Sequence, residues 1–496
     1  MNPIKTRAPL VALILSACMV GPSTRVSTDV PSVAVRSGES PSAATRTFLD
    51  SLRRARANDP PDTSTRITTQ LAPQTLEMTS GATTLAWVQV LRDATLQSLI
   101  REGVSNNRNI RVAQARINEY RALQGVAGSR LFPQVTANTS IATNKVALAA
   151  SSPIESDAGR ITADLAWELD FWGRTRRTSQ ASGFDLASRE DDVRATTLSL
   201  VSDIASAYLQ LREADAIIAI AEQTLASRTA TLQLARRRFD QGLISELDVR
   251  QFEATVADPA ARVADYARQR TENENALSLL MGAAPHAIPR GELLSDIVKN
   301  VNVPDSLPGA LLARRPDVLR AQHDFQAATA RVGITEAARL PTITLSGQYG
   351  AQRPVYGTLF DGKGEIYALQ AGISLPLFTG GRLSNETKAA QARALQSKNV
   401  YEQTVLVALR ETSDAAAGVR LRRDQLAAQE TQERALQAAF AIAERRYNSG
   451  ISSYLEVLDA QRSLFAAQLT RVQVERQYLA ATIQLFRALG GSWDGR

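Results

Sequence analysis

The chain has 496 residues, of which 44% are hydrophobic and only 5% are aromatic. A composition with so few aromatic residues is typical of long helices and argues against the core of a large enzyme. The net charge is +7, but acids are interspersed and the longest basic run is Arg236–Arg238, so we expect a solvated helical surface and no nucleic-acid partner.

The N-terminus predicts export and attachment to lipid. A short basic region precedes the apolar stretch Leu10–Leu15, which is too short to span a bilayer and is typical of a secretory signal. The small residues before Cys18, the single cysteine, resemble a bacterial lipobox. That resemblance implies a lipoprotein signal peptide at residues 1–17, lipid on Cys18 and, because Met19 follows instead of aspartate, an outer-membrane address. An ordinary cleavage that leaves Cys18 as a free thiol is the alternative.

Residues 18–84 are rich in serine, threonine, proline and arginine. Such a segment cannot bury enough apolar surface to fold by itself, so it predicts an extended N-terminal tether.

Two predicted strands precede the first long helix. Apolar and polar residues alternate over Ile161–Phe171, which is about the length of a tilted membrane-spanning strand. The preceding strand, Val135–Ile141, completes a hairpin with a loop around Ser151–Gly159. A soluble half-buried sheet gives the same alternation. Export, the predicted lipid and three aromatic residues at one strand end favour a membrane sheet with an aromatic belt. These three residues are Trp167, Phe171 and Trp172.

A long helix follows the hairpin. Apolar residues recur every seven positions from Ile204 to Phe239. The stretch can be traced back to about Thr178 without a proline, which predicts a helix roughly 90 Å long. Pro259 lies inside the returning helix and is expected to kink it. Helices of this length do not form a compact globule, so they build either a filamentous scaffold or the wall of a long tube.

The second half of the chain repeats the first at an offset of 208 residues, without a gap. A period of this length indicates duplication of a whole structural unit. We therefore predict two repeats, residues 85–292 and 293–496. The second repeat is expected to contain the strands Ile343–Tyr349 and Tyr367–Leu377, a loop around Tyr356–Gly364 and the long helix Asn385–Asn448. Four strands cannot close a membrane barrel, because the smallest have about eight, so several chains must share one.

Four motifs carry a family resemblance. They are LLARRPDV at 311–318, LPTITLSG at 340–347, LPLFTGGR at 375–382 and YNSGISSYLEVLDAQ at 447–461. With the repeated order of helix, hairpin and long helix pair, the chain resembles the TolC-like outer membrane factors. It is most similar to the lipoprotein subfamily that works with resistance-nodulation-division efflux pumps.

The resemblance implies an α+β fold in which a duplicated helix-hairpin-helix unit assembles as a homotrimer. Three chains would form a 12-stranded outer-membrane β-barrel, continued by a long periplasmic α-helical barrel. The expected partners are outer-membrane lipid, a periplasmic adaptor (membrane fusion) protein and an inner-membrane resistance-nodulation-division pump. Such a channel conducts substrates passively, so neither catalysis nor a cofactor is expected. A lipid-anchored periplasmic coiled-coil scaffold, with a soluble sheet, is the alternative.

The family's periplasmic gate lies where the long helices turn back. The two turns are RRFDQGLISELDV at 237–249 and RRYNSGISSYLEV at 445–457, and their Gly242 and Gly450 suit helix ends that need a positive φ. The family's narrow ring of acids falls on Glu456 and Asp459 here. Three residues apart on a helix, these two acids share a face, and threefold symmetry would stack them into anionic rings that attract cations.

Helix capping is an alternative explanation for part of this set. Ser453 with Glu456 and Ser245 with Asp248 both have the capping-box spacing. The family resemblance also implies a role for Tyr447 and Asp248 in the closed state. A basic partner found in some members falls on Ser452, so that salt-bridge latch is not predicted.

Metal and enzyme sites find little support. The two histidines, His286 and His323, have no cysteine or carboxylate at metal-ligand spacing, and no glycine-rich phosphate loop follows a strand. We expect both histidines to be surface or packing residues.

Overall fold

The computed structural model describes residues 21–22, 91–148, 151–301, 314–353 and 364–491. The predicted signal peptide, Cys18 and nearly all of the predicted tether lie outside the described residues. The predicted loop of the second hairpin also lies outside them, except for Gly364.

Eight helices and four strands make up the described part of the chain. In order they are α1 (Ala94–Asn106), α2 (Arg108–Ser129), β1 (Gln134–Leu148), β2 (Ser151–Leu169), α3 (Arg174–Asp240), α4 (Glu246–Leu280), α5 (Leu294–Asn300), α6 (Pro316–Ala337), β3 (Thr342–Arg353), β4 (Glu365–Ser374), α7 (Arg382–Asn448) and α8 (Tyr454–Ala488). None of the helices in these ranges is both long and apolar enough to cross a membrane.

The helices show the same duplication as the sequence. Helices α3 and α7 have 67 residues each, and α4 and α8 have 35 each. The ends of each helix are separated from those of its counterpart by the offset of the sequence repeat, and the same is true of α2 and α6. The predicted long helices are therefore confirmed, with ends within a few residues of the predicted ones. Pro259 lies inside α4, which remains helical on both sides of it.

The four strands form one antiparallel sheet in the order β1-β2-β3-β4. Both predicted hairpins are present, and β2 also pairs with β3. The predicted loop over Ser151–Gly159 is wrong, because β2 begins at Ser151 and pairs with β1 as far as Leu148. Backbone pairing continues there although the apolar alternation has ended, since the ladder hydrogen bonds do not depend on side-chain polarity. In the second hairpin β3 runs on to Arg353, and β4 ends earlier than predicted, at Ser374.

The two faces of the sheet differ in polarity, as the alternation predicted. Large apolar residues stand exposed on one face, among them Tyr367 (82% exposed), Leu369 and Ile373. On the other face the carboxylate of Asp164 accepts hydrogen bonds from Asn138 in β1 (2.6 Å) and Gln348 in β3 (2.7 Å). One face therefore offers apolar surface and the other a hydrogen-bonded polar surface.

The aromatic residues at the end of the sheet have two different roles. The indoles of Trp167 and Trp172 donate hydrogen bonds to the backbone oxygens of Leu131 (3.0 Å) and Pro341 (2.6 Å). Both indole groups thus hold the segments that lead into β1 and β3. Phe171 is exposed, and the most exposed apolar residues near this end are Phe132, Leu377 and Phe378, which the aromatic-belt prediction did not include.

The chain divides into two compact units. The first contains the sheet with residues 114–191 and 319–403, as well as Gly21 and Pro22. The second contains residues 91–113, 192–318 and 404–491 among those described. Its core is built from α1, α3, α4, α5, α7 and α8 around fully buried side chains such as Tyr208, Leu211 and Phe486.

A buried carboxylate organises the core of the second unit. Asp93 accepts a hydrogen bond from the Leu96 amide (3.0 Å) at the start of α1, another from the Tyr208 hydroxyl (2.8 Å) and a third from the Glu292 amide (3.1 Å). The same hydroxyl accepts from the Gly291 amide (2.9 Å). Asp93 and Tyr208 are fully buried and have no access to solvent. These hydrogen bonds therefore satisfy polar groups that water cannot reach.

The LLARRPDV motif has a structural role at the end of the last helix. Arg315 is buried, donates to the carbonyl oxygen of Ala488 (2.8 Å) and pairs with Asp317 (2.8 Å) and Glu411 (2.6 Å). The equivalent position of the first repeat holds Asn107, whose side-chain amide donates to the carbonyl oxygen of Leu280 (2.8 Å). Both repeats therefore close the end of their returning helix with a side chain from the start of the repeat.

We expect Tyr208→Phe to lower the free energy of unfolding by about 1–3 kcal/mol, because it leaves the buried Asp93 carboxylate short of one donor. Denaturant unfolding of the protein in detergent measures this. Tyr120→Phe is the matched control, since the Tyr120 hydroxyl makes no hydrogen bond among the described residues. Equal stability of the two variants would contradict the role of the Tyr208 hydroxyl.

Arg315→Met should cost about 1.5–3 kcal/mol of stability, because it removes the charged hydrogen bonds to Asp317 and Glu411 and leaves the Ala488 carbonyl with only the longer bond from the Thr412 hydroxyl (3.3 Å). Arg314→Met removes the neighbouring, exposed arginine of the same motif and should cost less than about 0.5 kcal/mol. The comparison uses the same unfolding measurement. A similar loss in both variants would mean that the motif does not act through Arg315.

Candidate functional site

The two helix turns that the sequence assigned to a gate have the same backbone geometry. Gly242 and Gly450 have φ values of 72° and 73°. At the first turn the Gly242 amide donates to the oxygen of Phe239 (2.8 Å) and the Leu243 amide to that of Arg238 (2.9 Å). The second turn repeats both bonds at the equivalent positions. This is the Schellman arrangement, in which the residue after the helix adopts the left-handed conformation that glycine allows.

Helix capping explains Asp248 but not Glu456. The Asp248 carboxylate accepts from the backbone amide of Ser245 (2.9 Å), and the Ser245 hydroxyl accepts from the Asp248 amide (3.2 Å). The Ser245 hydroxyl also donates to the carboxylate (2.7 Å), and this bond, with the one from the Ser245 amide, lowers the pKa of Asp248. At the second turn, Ser453 makes no such side-chain bond to the described backbone. The capping box predicted for the first turn is therefore formed, and Glu456 is left for another partner.

Glu456 lies beside an arginine that the sequence had not singled out. Its carboxylate is 3.6 Å from the guanidinium of Arg446, and both side chains are about half exposed. A pair this exposed is screened by water and contributes little stability. Asp459 is exposed and has no ion pair or hydrogen bond among the described residues. Of the two acids, Asp459 therefore presents the less compensated charge.

Tyr447 joins the two turns. Its hydroxyl accepts a hydrogen bond from Arg238 (2.5 Å), whose guanidinium lies 5.6 Å from the centre of the Tyr447 ring. Among the described residues no hydrogen bond joins Tyr447 to Asp248, the acid with which the family resemblance grouped it. The repeated arginine pairs, at 237–238 and 445–446, were the sequence signal that could have identified these partners.

Three aromatic rings connect the two turns further. Tyr454 lies with its ring centre 4.1 Å from that of Phe252 and 5.3 Å from that of Tyr447. Burial raises the pKa of Tyr454 to about 12, so its hydroxyl stays protonated at neutral pH. Phe252 belongs to a small apolar cluster that packs α3 against α4, and we call it the tip cluster. Its buried members are Leu232, Ala235, Val249 and Phe252.

The ends of both turns expose apolar side chains at matching positions. Leu243 and Leu247 of the first turn are 68% and 65% exposed. Ile451 and Leu455, at the equivalent positions of the second turn, are 69% and 59% exposed. Exposing large apolar side chains to water is unfavourable, so a repeated set of exposed apolar residues indicates a contact surface.

The two histidines bind protein groups. Nδ1 of His323 lies 2.8 Å from a carboxylate oxygen of Asp191, and Nδ1 of His286 lies 3.2 Å from the Ser278 hydroxyl. Within the described residues, no group of three or more histidine, cysteine, aspartate or glutamate side chains could hold a metal ion.

Comparison with known proteins identifies the family. The model of the family described as "Outer membrane efflux protein" matches residues 99–283 and 307–491, which together cover more than half of the chain. The spacing between the starts of the two matches equals the offset found in the sequence. The bounds of the two repeats, 85–292 and 293–496, stay predictions.

Relatives and solved structures agree with this family. The antibiotic efflux pump outer membrane protein ArpC of Pseudomonas putida is 34% identical over 411 residues, which are 82% of this chain and 85% of ArpC. The toluene efflux pump outer membrane protein TtgF, also of P. putida, is 34% identical over 418 residues, covering 83% of this chain and 86% of TtgF. The outer membrane protein VceC of Vibrio cholerae has the same fold, with a TM-score of 0.76 and 28% identity over 82% of this chain and 98% of VceC.

These similarities favour efflux over the coiled-coil scaffold, and the family is one of channels rather than of enzymes. They also account for the long helices, for the exposed apolar face of the sheet and for the pair of helix turns. The chain belongs to the outer membrane efflux protein family and is the outer-membrane channel component of an efflux system.

Proposed function

We propose that three copies of this chain form one passive conduit, a 12-stranded barrel in the outer membrane continued by a periplasmic helical tunnel. The observation that carries this proposal is the four-stranded sheet. Among the described strands, β1 pairs only with β2 and β4 only with β3, so each outer strand keeps an unpaired edge. In lipid every unpaired backbone group costs several kcal/mol, so the sheet of one chain must join sheets of other chains.

The exposed apolar face supports a membrane position for this sheet. Tyr367, Leu369 and Ile373 would face lipid, whereas Asp164 and its amide partners would face the water-filled interior.

The protein should run as a heat-resistant trimer in gels and conduct ions in planar bilayers. A purified protein that is monomeric and never conducts would exclude the proposal.

Lipid on Cys18 would anchor each chain at the same membrane. Gly21, three residues later, belongs to the unit that contains the sheet, and its oxygen accepts a hydrogen bond from Arg177 in the first turn of α3. That turn begins five residues after the end of β2, so Gly21 lies beside the start of the helix that follows the sheet in the chain. This supports the lipoprotein subfamily suggested by the sequence.

The other partners of the proposed trimer are a periplasmic adaptor and an inner-membrane pump of the resistance-nodulation-division class. The exposed apolar residues of the two turns offer the adaptor a repeated surface, six copies in a trimer. The names of the relatives, which mention antibiotics and toluene, suggest small organic compounds as substrates. The pump would select among them.

Glu456 and Asp459 are the proposed gate acids, with Tyr447, Asp248, Gly242 and Gly450 shaping the turns around them. Asp459 is the stronger candidate, because Arg446 compensates Glu456 in part. In a trimer three Asp459 carboxylates would form a ring that binds cations and hinders anions.

Asp459→Ala should raise single-channel conductance and weaken block by multivalent cations about tenfold, which corresponds to the loss of ~1.4 kcal/mol of attraction. Bilayer recordings with and without a trivalent cation measure both effects. Asp240→Ala is the control, since it removes an exposed carboxylate of the first turn. If Glu456→Ala combined with Asp459→Ala leaves conductance and block unchanged, the gate assignment is wrong.

Leu243→Asp combined with Ile451→Asp should abolish drug efflux in cells that contain the adaptor and pump, because charge at both turns opposes apolar docking. Conductance of the purified variant should stay within about twofold of that of the parent, since neither side chain is buried in the tip cluster. Gln241→Asp adds one such charge at the first turn without removing an apolar side chain and should retain efflux. Normal efflux by the double variant would exclude these residues from docking.

A further inference from the structure

Proline at position 259 leaves a defect in the middle of α4. A helical residue normally donates its amide hydrogen to the carbonyl oxygen four residues earlier, which here belongs to Thr255. Proline has no amide hydrogen, so this oxygen loses its partner in the helix. Pro259 is buried, which excludes an easy replacement by water. An unpaired carbonyl at this depth is costly.

An arginine from α3 occupies the vacant position. Nη1 of Arg228 donates a hydrogen bond of 2.7 Å to the carbonyl oxygen of Thr255. The Arg228 side chain is only 2% exposed, and the carboxylate oxygen with which it pairs, on Asp258, lies 3.8 Å away. A buried guanidinium with a distant counter-ion is unusual, and burial lowers the pKa of Arg228. The backbone carbonyl is therefore a closer partner of this guanidinium than the carboxylate is.

The second repeat provides an internal comparison. At an offset of 208 residues, Arg228 corresponds to Leu436 and Pro259 to Ala467. Ala467 retains its amide hydrogen, so the helix bond to Ser463 needs no substitute. The proline and the arginine thus occur together in one repeat and are both absent from the other. This is the pattern expected if the arginine compensates for the proline.

Arg228 also connects the first repeat to the helix that carries the proposed gate acids. Its guanidinium lies 5.1 Å from the centre of the Phe465 ring in α8, six residues after Asp459. On α3, Arg228 is one helical turn before Leu232, so it lies at the end of the tip cluster that is farther from the first helix turn. Its Nε and Nη2 atoms are buried without hydrogen-bond partners in the part of the chain that the structure describes.

We propose that Arg228 is a positioning residue for the gate: it replaces the hydrogen bond removed by Pro259 and holds α4 at this point against Phe465 of α8. Without it, the Thr255 carbonyl would be unpaired and α4 would lose its connection to Phe465 at this point. In this proposal the arrangement of the two turns depends on the Arg228 side chain. The part of the proposal that concerns gating rests on the proposed channel function.

The first test is a double-mutant cycle on unfolding of the full-length protein in detergent. Arg228→Met keeps an apolar stem but removes the donor, and Pro259→Ala restores the backbone donor. The unfolding equilibrium should shift about tenfold or more with Arg228→Met alone, and much less when Pro259→Ala is also present. Arg237→Met, which removes an exposed arginine of the same helix, should show no such dependence on position 259. Additive effects of the two changes would overturn the proposal.

The second test measures gating, which a purely structural role would leave unchanged. In planar bilayers Arg228→Met should increase the open fraction about tenfold, and adding Pro259→Ala should return it toward the value of the parent. A conducting parent whose variants all gate alike would overturn the positioning role while leaving the channel function intact. A parent that does not conduct at all would instead exclude the channel function, and the unfolding cycle would still decide whether Arg228 and Pro259 are coupled.

Discussion

The constraint on which the rest of the structure depends is that a four-stranded sheet cannot pair its own edges. An apolar face directs the sheet of this chain to lipid, where water is not present to bind the free amide and carbonyl groups of β1 and β4. Edge strands of this kind must be paired, and a copy of the same chain offers matching edges. The proposed trimer, the common tunnel and the rings of identical residues all follow from this need.

Duplication gives the chain two halves with matching helices, and equivalent residues at the two helix turns have different partners. Arg238 and Arg446 occupy equivalent positions, yet Arg238 binds the Tyr447 hydroxyl whereas Arg446 lies beside Glu456. The difference has a simple cause, because Tyr447 corresponds to Phe239 in the first repeat, which has no hydroxyl. A single hydroxyl group therefore gives the two equivalent arginines different partners.

Arg228 and Pro259 illustrate the same principle inside a helix. A backbone defect in α4 is compensated by a side chain from α3, so the stability of one helix depends on its neighbour. Such a dependence ties the first repeat to α8 through Phe465. At their C-terminal ends α4 and α8 are capped by equivalent contacts, from Asn107 to the carbonyl of Leu280 and from Arg315 to that of Ala488. A contact of this kind is present in both repeats, unlike that of Arg228.

Much of this protein was determined by local sequence. Heptad spacing and the absence of proline predicted α3 to within a few residues, and the repeat predicted α7 as its counterpart. Strict alternation predicted the hairpins, and Gly242 and Gly450 predicted the ends of the long helices, because these signals depend on neighbours along the chain. The length of β2 was missed, since strand pairing continued beyond the apolar alternation. The capping box of Asp248 formed and that of Glu456 did not, although their spacing is identical. Only the tertiary structure decided such partners. Arg238 contacts Tyr447 and Arg228 contacts Phe465 across more than one full repeat of the sequence, and no local pattern shows which of several arginines will reach these rings.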